Sequence, residues 1–238
     1  MSHNSIHWFR KGLRLHDNPA LLAALKDCRH IYPLFLLDPW YSNNTRIGIN
    51  RWRFLIEALK DLDSSLKKLN SRLFVVSGSP TEVLPKLFEK WKITRLTFEV
   101  DTEPYSQSRD EEVMKLAKEH GVEVIPKISH TLYNIDRIIE ENNGKTPMTY
   151  VRLQSVVKAI GPPKKPVLAP TKEDMKDETV MPLSLEGVST LFSEDHEKEF
   201  GIPTLEHLGL DTSSLGPDLF PGGEQEALRR LDEHMERR

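Results

Sequence analysis

The sequence predicts an α/β fold, a five-stranded parallel Rossmann-like sheet with flanking helices, followed by an irregular connector and one last helix. Three observations carry this. Five short apolar runs recur between residues 5 and 126, and most are nearly continuous rather than strictly alternating, the pattern of strands covered on both faces. Amphipathic stretches lie between the runs, and a strand–helix–strand order implies parallel strands joined by right-handed crossovers. Beyond residue 160, prolines and charged residues replace the periodicity.

The elements follow in order. Ser5–Phe9 reads as the first strand, and after a charged turn Asn18 caps a helix with Pro19 at its first position and Leu21, Leu22 and Leu25 on one side. Ile31–Leu37 is the second strand. Asn50–Leu69 carries Trp52, Leu55, Ile56, Leu59, Leu62, Leu66 and Leu69 at three- and four-residue steps, one apolar stripe on a long helix. Arg72–Val76, Leu96–Val100 and Val122–Pro126 are the remaining strands, with helices over Pro80–Trp91 and Ser106–His120, the second closed by Gly121. Two short helices are expected over Tyr133–Glu141 and Tyr150–Ile160. The run Gly161-Pro162-Pro163-Lys164-Lys165-Pro166 then breaks regular structure. Residues 171–215 are charged, acidic and aperiodic, a linker or a crossover lying on the surface. A last helix begins near Gly223 with Leu228, Leu231 and Met235 on one face, a stripe that calls for a partner.

Composition narrows the function. A formal net charge of −3 gives no overall basic field for nucleic acid. The single cysteine, Cys28, excludes an intrachain disulfide and a cysteine-built zinc site, and is expected as a small buried helix residue. No apolar run reaches membrane-spanning length and no signal-peptide pattern opens the chain, so a nuclear or cytoplasmic, not secreted, protein is expected. The nine histidines show no H-x-x-x-H or H-E-x-x-H spacing, so no metal site is expected. Trp8, Trp40, Trp52 and Trp91 read as core fillers.

Neither a G-x-G-x-x-G turn nor a G-x-x-x-x-G-K-[ST] loop occurs. The turn after the first strand carries Arg10, Lys11 and Arg14 instead. These cations either hold an anionic ligand beside the helix start at Asn18 or pair with Asp17 and Asp38 inside the fold. A second cluster follows the fourth strand: Glu99, Asp101, Glu103, Tyr105 and Arg109. Residues leaving a parallel strand there face the crevice where open α/β sheets bind ligands. They serve a ligand as acids, bases or hydrogen-bond acceptors, or form a solvated helix N-terminus.

The opening stretch Ile6–Pro19 (IHWFRKGLRLHDNP) resembles the N-terminal signature of the DNA photolyase/cryptochrome family. Leu37–Trp40, Asn50–Leu55, Phe98–Tyr105 and Pro221-Gly222-Gly223-Glu224 are similar to its animal branch, and the Thr97–Tyr105 and His130–Tyr133 runs are most similar to (6-4) photolyases. The resemblance implies several expectations. The core of an N-terminal α/β domain would span 1–133, with additional helices of the same domain over 134–161. An interdomain connector would follow over 162–220, and the start of a truncated FAD-binding helical domain over 221–238. It implies a blue-light flavoprotein for light-driven repair of UV-damaged DNA, with the lesion flipped into a flavin pocket, or alternatively a cryptochrome-type photoreceptor or circadian-clock module acting through protein partners. FAD and the catalytic residues would belong to the helical domain, so no catalytic residue is named here and this chain alone is not expected to repair DNA. Some members carry a deazaflavin-type antenna chromophore. By the resemblance Phe9, Arg10, Asp38, Arg51, Asp101, Glu103 and Arg109 would border its crevice.

Overall fold

The computed structural model describes residues 2–40, 47–175, 200–213 and 215–237. The middle of the expected connector, 176–199, lies outside them. Five strands form one parallel sheet: β1 (His3–Phe9), β2 (Cys28–Leu37), β3 (Phe74–Ser77), β4 (Arg95–Glu99) and β5 (Glu123–Lys127), in the order β3-β2-β1-β4-β5. The chain winds outward from β1 to β3, then returns to the other side of β1 with β4. The β1/β4 boundary is therefore the topological switch point.

Seven helices occur among the described residues: α1 (Pro19–Leu25), α2 (Ile49–Lys67), α3 (Pro80–Lys90), α4 (Pro104–Glu119), α5 (Ile135–Glu141), α6 (Tyr150–Ile160) and α7 (Glu224–Glu236). Asn18 caps α1 as expected, its side-chain oxygen accepting from the Leu21 N–H at 2.9 Å. Both sheet faces are covered. Ile6, Trp8, Leu34, Leu36, Phe74, Leu96 and Phe98 pack under α3 and α4; Phe9, Ile31, Phe35, Leu37 and Val75 pack under α1 and α2. This two-sided burial is why the strands read as nearly continuous apolar runs.

Two expectations are corrected. Cys28 opens β2 rather than sitting in a helix, because the pairing of β1 with β2 runs back to the His3–Cys28 register. The polar Cys28-Arg29-His30 start of that strand carries no apolar signal. The described ends of the acidic stretch are also not all superficial. Met175 and Phe200 are buried, in opposite face clusters, and the Phe200 carbonyl accepts from the Val75 N–H at 2.8 Å. Phe200 thus covers the outer side of the edge strand β3.

No described helix is long and apolar enough to cross a membrane. No cluster of three or more metal-ligating side chains occurs among the described residues.

A candidate ligand crevice at the switch point

A crevice of about 2170 Å³ opens at the carboxyl ends of β1 and β2. Its floor comes from Trp8–Arg14 and Phe35–Asp38, with Asp101 and Arg109 beside them. The N-terminal turns of α2, with Asn50, Arg51 and Trp52, form one wall, and the segment Pro217–Leu228 forms the other.

The two charged clusters noted in the sequence are partners of each other. Arg10 Nη1 lies 2.6 Å from Asp110 Oδ1, and its Nη2 donates to the Glu99 carbonyl. Arg109 pairs with the same Asp110 oxygen through Nε at 3.1 Å and Nη2 at 2.9 Å. Arg14 pairs with Glu99 at 2.7 Å, which also accepts from the Ser129 hydroxyl at 2.7 Å. Lys11 bridges Asp101 at 3.0 Å and Glu103 at 2.7 Å. The cations therefore do pair inside the fold, but with the acids after β4 and with Asp110 rather than with the Asp17 and Asp38 carboxylates. Four cations meet four carboxylates, so this ion-pair network is electrically balanced, and Asp38 beside it is met by a hydroxyl and an N–H rather than by a cation.

Each part of this network has a physical cause. Two buried guanidinium groups share one carboxylate, and aromatic faces take up the excess: Arg10 lies 5.0 Å from the Trp8 ring and 4.7 Å from the Phe98 ring, and Arg109 lies 4.8 Å from Trp8. Burial lowers the Arg10 pKa, and the Asp110 contact opposes that shift. Burial by itself would raise the Asp101 carboxyl, but Lys11, the Thr102 N–H and the Ser106 hydroxyl outweigh it and hold the pKa at about 2. At Gly12 the backbone lies close against the ends of the Glu99 and Arg14 side chains, where a Cβ would make that ion pair shift. The glycine's role is close approach to those side chains, not a phosphate-binding turn.

At the rim, Asp38 accepts from the Tyr105 hydroxyl at 2.6 Å and from the Trp40 N–H at 2.9 Å, while the Trp40 and Tyr105 rings stack with centroids 3.7 Å apart. Trp8 and Trp91 are buried in the core, as read from the sequence.

Comparison with known proteins places this architecture. The sequence profile of the DNA photolyase family matches residues 5–170. This chain belongs to that family. Among curated relatives, Cryptochrome-2 of Gallus gallus is 51% identical over 98% of the chain, and Cryptochrome-1 of Macaca fascicularis is 49% identical over all of it. The chain spans 38% and 39% of the lengths of those two proteins. Among solved structures, a Synechocystis cryptochrome aligns over 98% of this chain and 47% of its own, with a TM-score of 0.74 at 21% identity. A class III photolyase from Agrobacterium tumefaciens aligns over 99% of this chain and 45% of its own, also with a TM-score of 0.74, at 24% identity. These two likenesses concern the fold.

Within this photolyase-family domain, six of the seven residues nominated from the sequence line the crevice: Phe9, Arg10, Asp38, Arg51, Asp101 and Arg109. Glu103 stands outside the lining, paired with Lys11. Arg10, Asp38, Asp101 and Arg109 already have protein partners, whereas the Arg51 side chain is exposed and makes no ion pair among the described residues. Sequence reasoning missed Asp110, which joins both arginines. It follows Arg109 directly within a charged helical stretch, where adjacent acids and bases ordinarily face water. It also missed Ser129, which holds Glu99 from the loop after β5.

Proposed function

We propose that this chain is the N-terminal α/β domain of a blue-light flavoprotein of the cryptochrome type, and that its crevice takes a planar chromophore of the deazaflavin class. The crevice carries the second clause. It opens at the carboxyl ends of β1 and β2, beside the switch point, Trp52 stands in one wall, and the ion-pair network of its floor is charge-balanced. A balanced floor suits a largely neutral ring with hydrogen-bonding edges better than a polyphosphate, whose charge would need unpaired cations. Arg51, which makes no ion pair among the described residues, is placed to meet a ring carbonyl or an acidic ring oxygen, with Asn50 beside it. Bound there, such a chromophore would supply light absorption. The chain's own residues would bind the ring and exclude water from it. FAD would be held outside the segment described, and no residue of this chain is assigned to it.

The relatedness to cryptochromes over nearly the whole chain supports a nuclear or cytoplasmic photoreceptor or clock regulator acting through protein partners. The Thr97–Tyr105 and His130–Tyr133 runs favour a second reading, light-driven repair of (6-4) lesions in UV-damaged DNA. A repair assay on the complete gene product separates the two. Lesion reversal under blue light supports the second reading, and light-dependent partner binding without reversal supports the first.

For the crevice, the purified chain is titrated with a 5-deazaflavin while its fluorescence is followed. Saturable one-to-one binding is expected, weakened roughly tenfold by Arg51→Ala, the scale of one hydrogen bond to a charged group. Absence of saturation, or binding untouched by Arg51→Ala, would overturn the assignment.

A further inference from the structure

The turn between β1 and α1 lines the crevice with Lys11, Gly12, Arg14, His16 and Asp17. A turn outside regular secondary structure must find partners for its backbone groups elsewhere. Here they come from far along the chain. The strap formed by residues 216–224 supplies two of them. It seats on α2, where Arg53 Nη1 donates to the Gly216 carbonyl at 2.9 Å and Glu57 accepts from the Gly222 N–H at 2.9 Å. The two carboxylate oxygens of Glu224 then accept from the Leu15 and His16 N–H groups at 2.8 and 2.9 Å.

Asp17 is held by a different segment, the first part of the connector. Its N–H donates to the Val167 carbonyl at 2.9 Å, and its Oδ1 accepts from the Val167 N–H at 3.1 Å. Backbone and side chain of one residue are thus gripped by both polar groups of another, 150 residues away. Asp17 adopts φ 51°, in the left-handed region that is unfavourable for any residue with a Cβ. Aspartate and asparagine reach that region more readily than other side chains. The grip of Val167 offsets the strain, and it fixes the direction of the next peptide group. The Asp17 carbonyl accepts from Arg14 Nη2 at 2.8 Å. The same nitrogen meets Glu99 Oε1 at 2.7 Å and the Ser129 carbonyl at 3.2 Å, and Nη1 lies 3.3 Å from Glu99 Oε2.

We propose that Asp17 is a positioning residue of the crevice: pinned in its left-handed conformation by Val167, it aims its carbonyl at Arg14 and so sets where the Arg14–Glu99 pair stands in the floor. The crevice is the one whose ligand is proposed above, but the positioning does not depend on what fills it. Rotating Asp17 into either of the common backbone regions would swing its carbonyl away from Arg14. Val167 does not line the crevice. It acts on the floor through Asp17, which makes the connector a structural part of a site it does not touch.

Rotation of the Arg14 guanidinium about its Nε–Cζ bond, followed by NMR on the full chain without ligand, reads this anchoring directly. Asp17→Ala keeps a Cβ in the left-handed region and removes the side-chain acceptor. It is expected to speed the rotation roughly threefold or more, the scale of one lost hydrogen bond. Asp17→Asn keeps an acceptor oxygen and the tolerance of positive φ, and is expected to restore the wild-type rate. Asp17→Gly is unstrained at φ 51° but lacks the acceptor. It is expected to behave as Asp17→Ala, and it carries the test should Asp17→Ala not fold. Asn70→Ala places comparable strain just beyond α2, where Asn70 adopts φ 61°, and is expected to lower stability without moving Arg14. Wild-type rotation of Arg14 in Asp17→Ala and Asp17→Gly overturns the proposal, whatever their stability. So does rotation in Asp17→Asn or in Asn70→Ala as fast as in Asp17→Ala. If the wild-type chain binds no deazaflavin, the function proposed above fails, and the Arg14 rotation still decides the role of Asp17.

Discussion

His7 shows how a single buried side chain contributes to the pH dependence of the domain's stability. It is buried in β1, with Nδ1 2.9 Å from the Thr97 hydroxyl oxygen and Nε2 3.1 Å from the Asn18 side-chain nitrogen. The Asn18 amide donates, so Nε2 is the bare nitrogen and Nδ1–H donates to Thr97. Burial first, and then the charges of Arg10 and Arg14, lower the pKa from 6.5 to about 3. The native state therefore binds fewer protons than the unfolded chain. This contribution is complete above the unfolded value and is lost as pH falls from 6.5 toward 3. His7→Gln, which can still hydrogen-bond but does not titrate, is expected to flatten urea-derived stability against pH in that window, by up to about 1.4 kcal/mol per pH unit. Identical pH slopes for the two proteins would show that His7 does not govern acid sensitivity. Asp110 illustrates the companion case. It is the shared carboxylate of Arg10 and Arg109, and removing one partner of a buried ion pair typically costs about 3–5 kcal/mol. Asn18 could be recognised as a cap from its neighbours in the chain, whereas Asp110 could not be recognised as a partner of Arg10, one hundred residues away.

At the scale of elements, each of the five strands lies where an apolar run falls in the sequence; β1 to β4 are covered on both faces and periodicity reports that burial, while β5, at the sheet edge, stays largely exposed. Boundaries slip where pairing outruns burial. β2 starts at Cys28 rather than Ile31, and β3 starts at Phe74 rather than Arg72. The element invisible in the sequence is the return of the connector at Phe200. One aromatic in an acidic stretch has no periodic context, yet it stacks edge-on to Phe74 and Trp91 with centroids 5.7 and 5.8 Å away. Phe200→Ala is expected to cost about 3–5 kcal/mol in urea unfolding, as for other fully buried aromatics. It should also speed exchange of the Val75 amide, whose N–H the Phe200 carbonyl accepts. A loss below about 1 kcal/mol, within the ordinary range of surface changes, would mean that the connector is not part of the core.

The molecule as a whole carries an apolar surface that its own core does not use. Leu228, Leu231 and Met235 of α7 are 41%, 54% and 60% exposed, and Leu219 and Phe220 in the strap are more exposed still. Such a patch marks a contact surface. Because α7 buries nothing, Leu231→Glu is expected to change the unfolding free energy by less than about 0.5 kcal/mol while reducing binding of a hydrophobic dye. A marked destabilisation would instead place Leu231 in the core of this chain. The stripe was readable in the sequence from its three- and four-residue spacing. The contacts that hold it beside the crevice were not, since Glu224 bonds to backbone N–H groups whose identity leaves no trace in side-chain pattern.

The sequence by itself determined the five-stranded sheet, its parallel sense and its family, because hydrophobic period, caps and local motifs are short-range properties written into consecutive residues. Only the tertiary structure decided which charges in the crevice are spent on each other, that Gly12 makes room for Glu99, and that the Pro221–Glu224 strap seats on α2 and clasps the β1–α1 turn. Those outcomes depend on groups about a hundred to two hundred residues apart. Their pairing follows from geometry and from the cost of leaving a buried charge or N–H unmet.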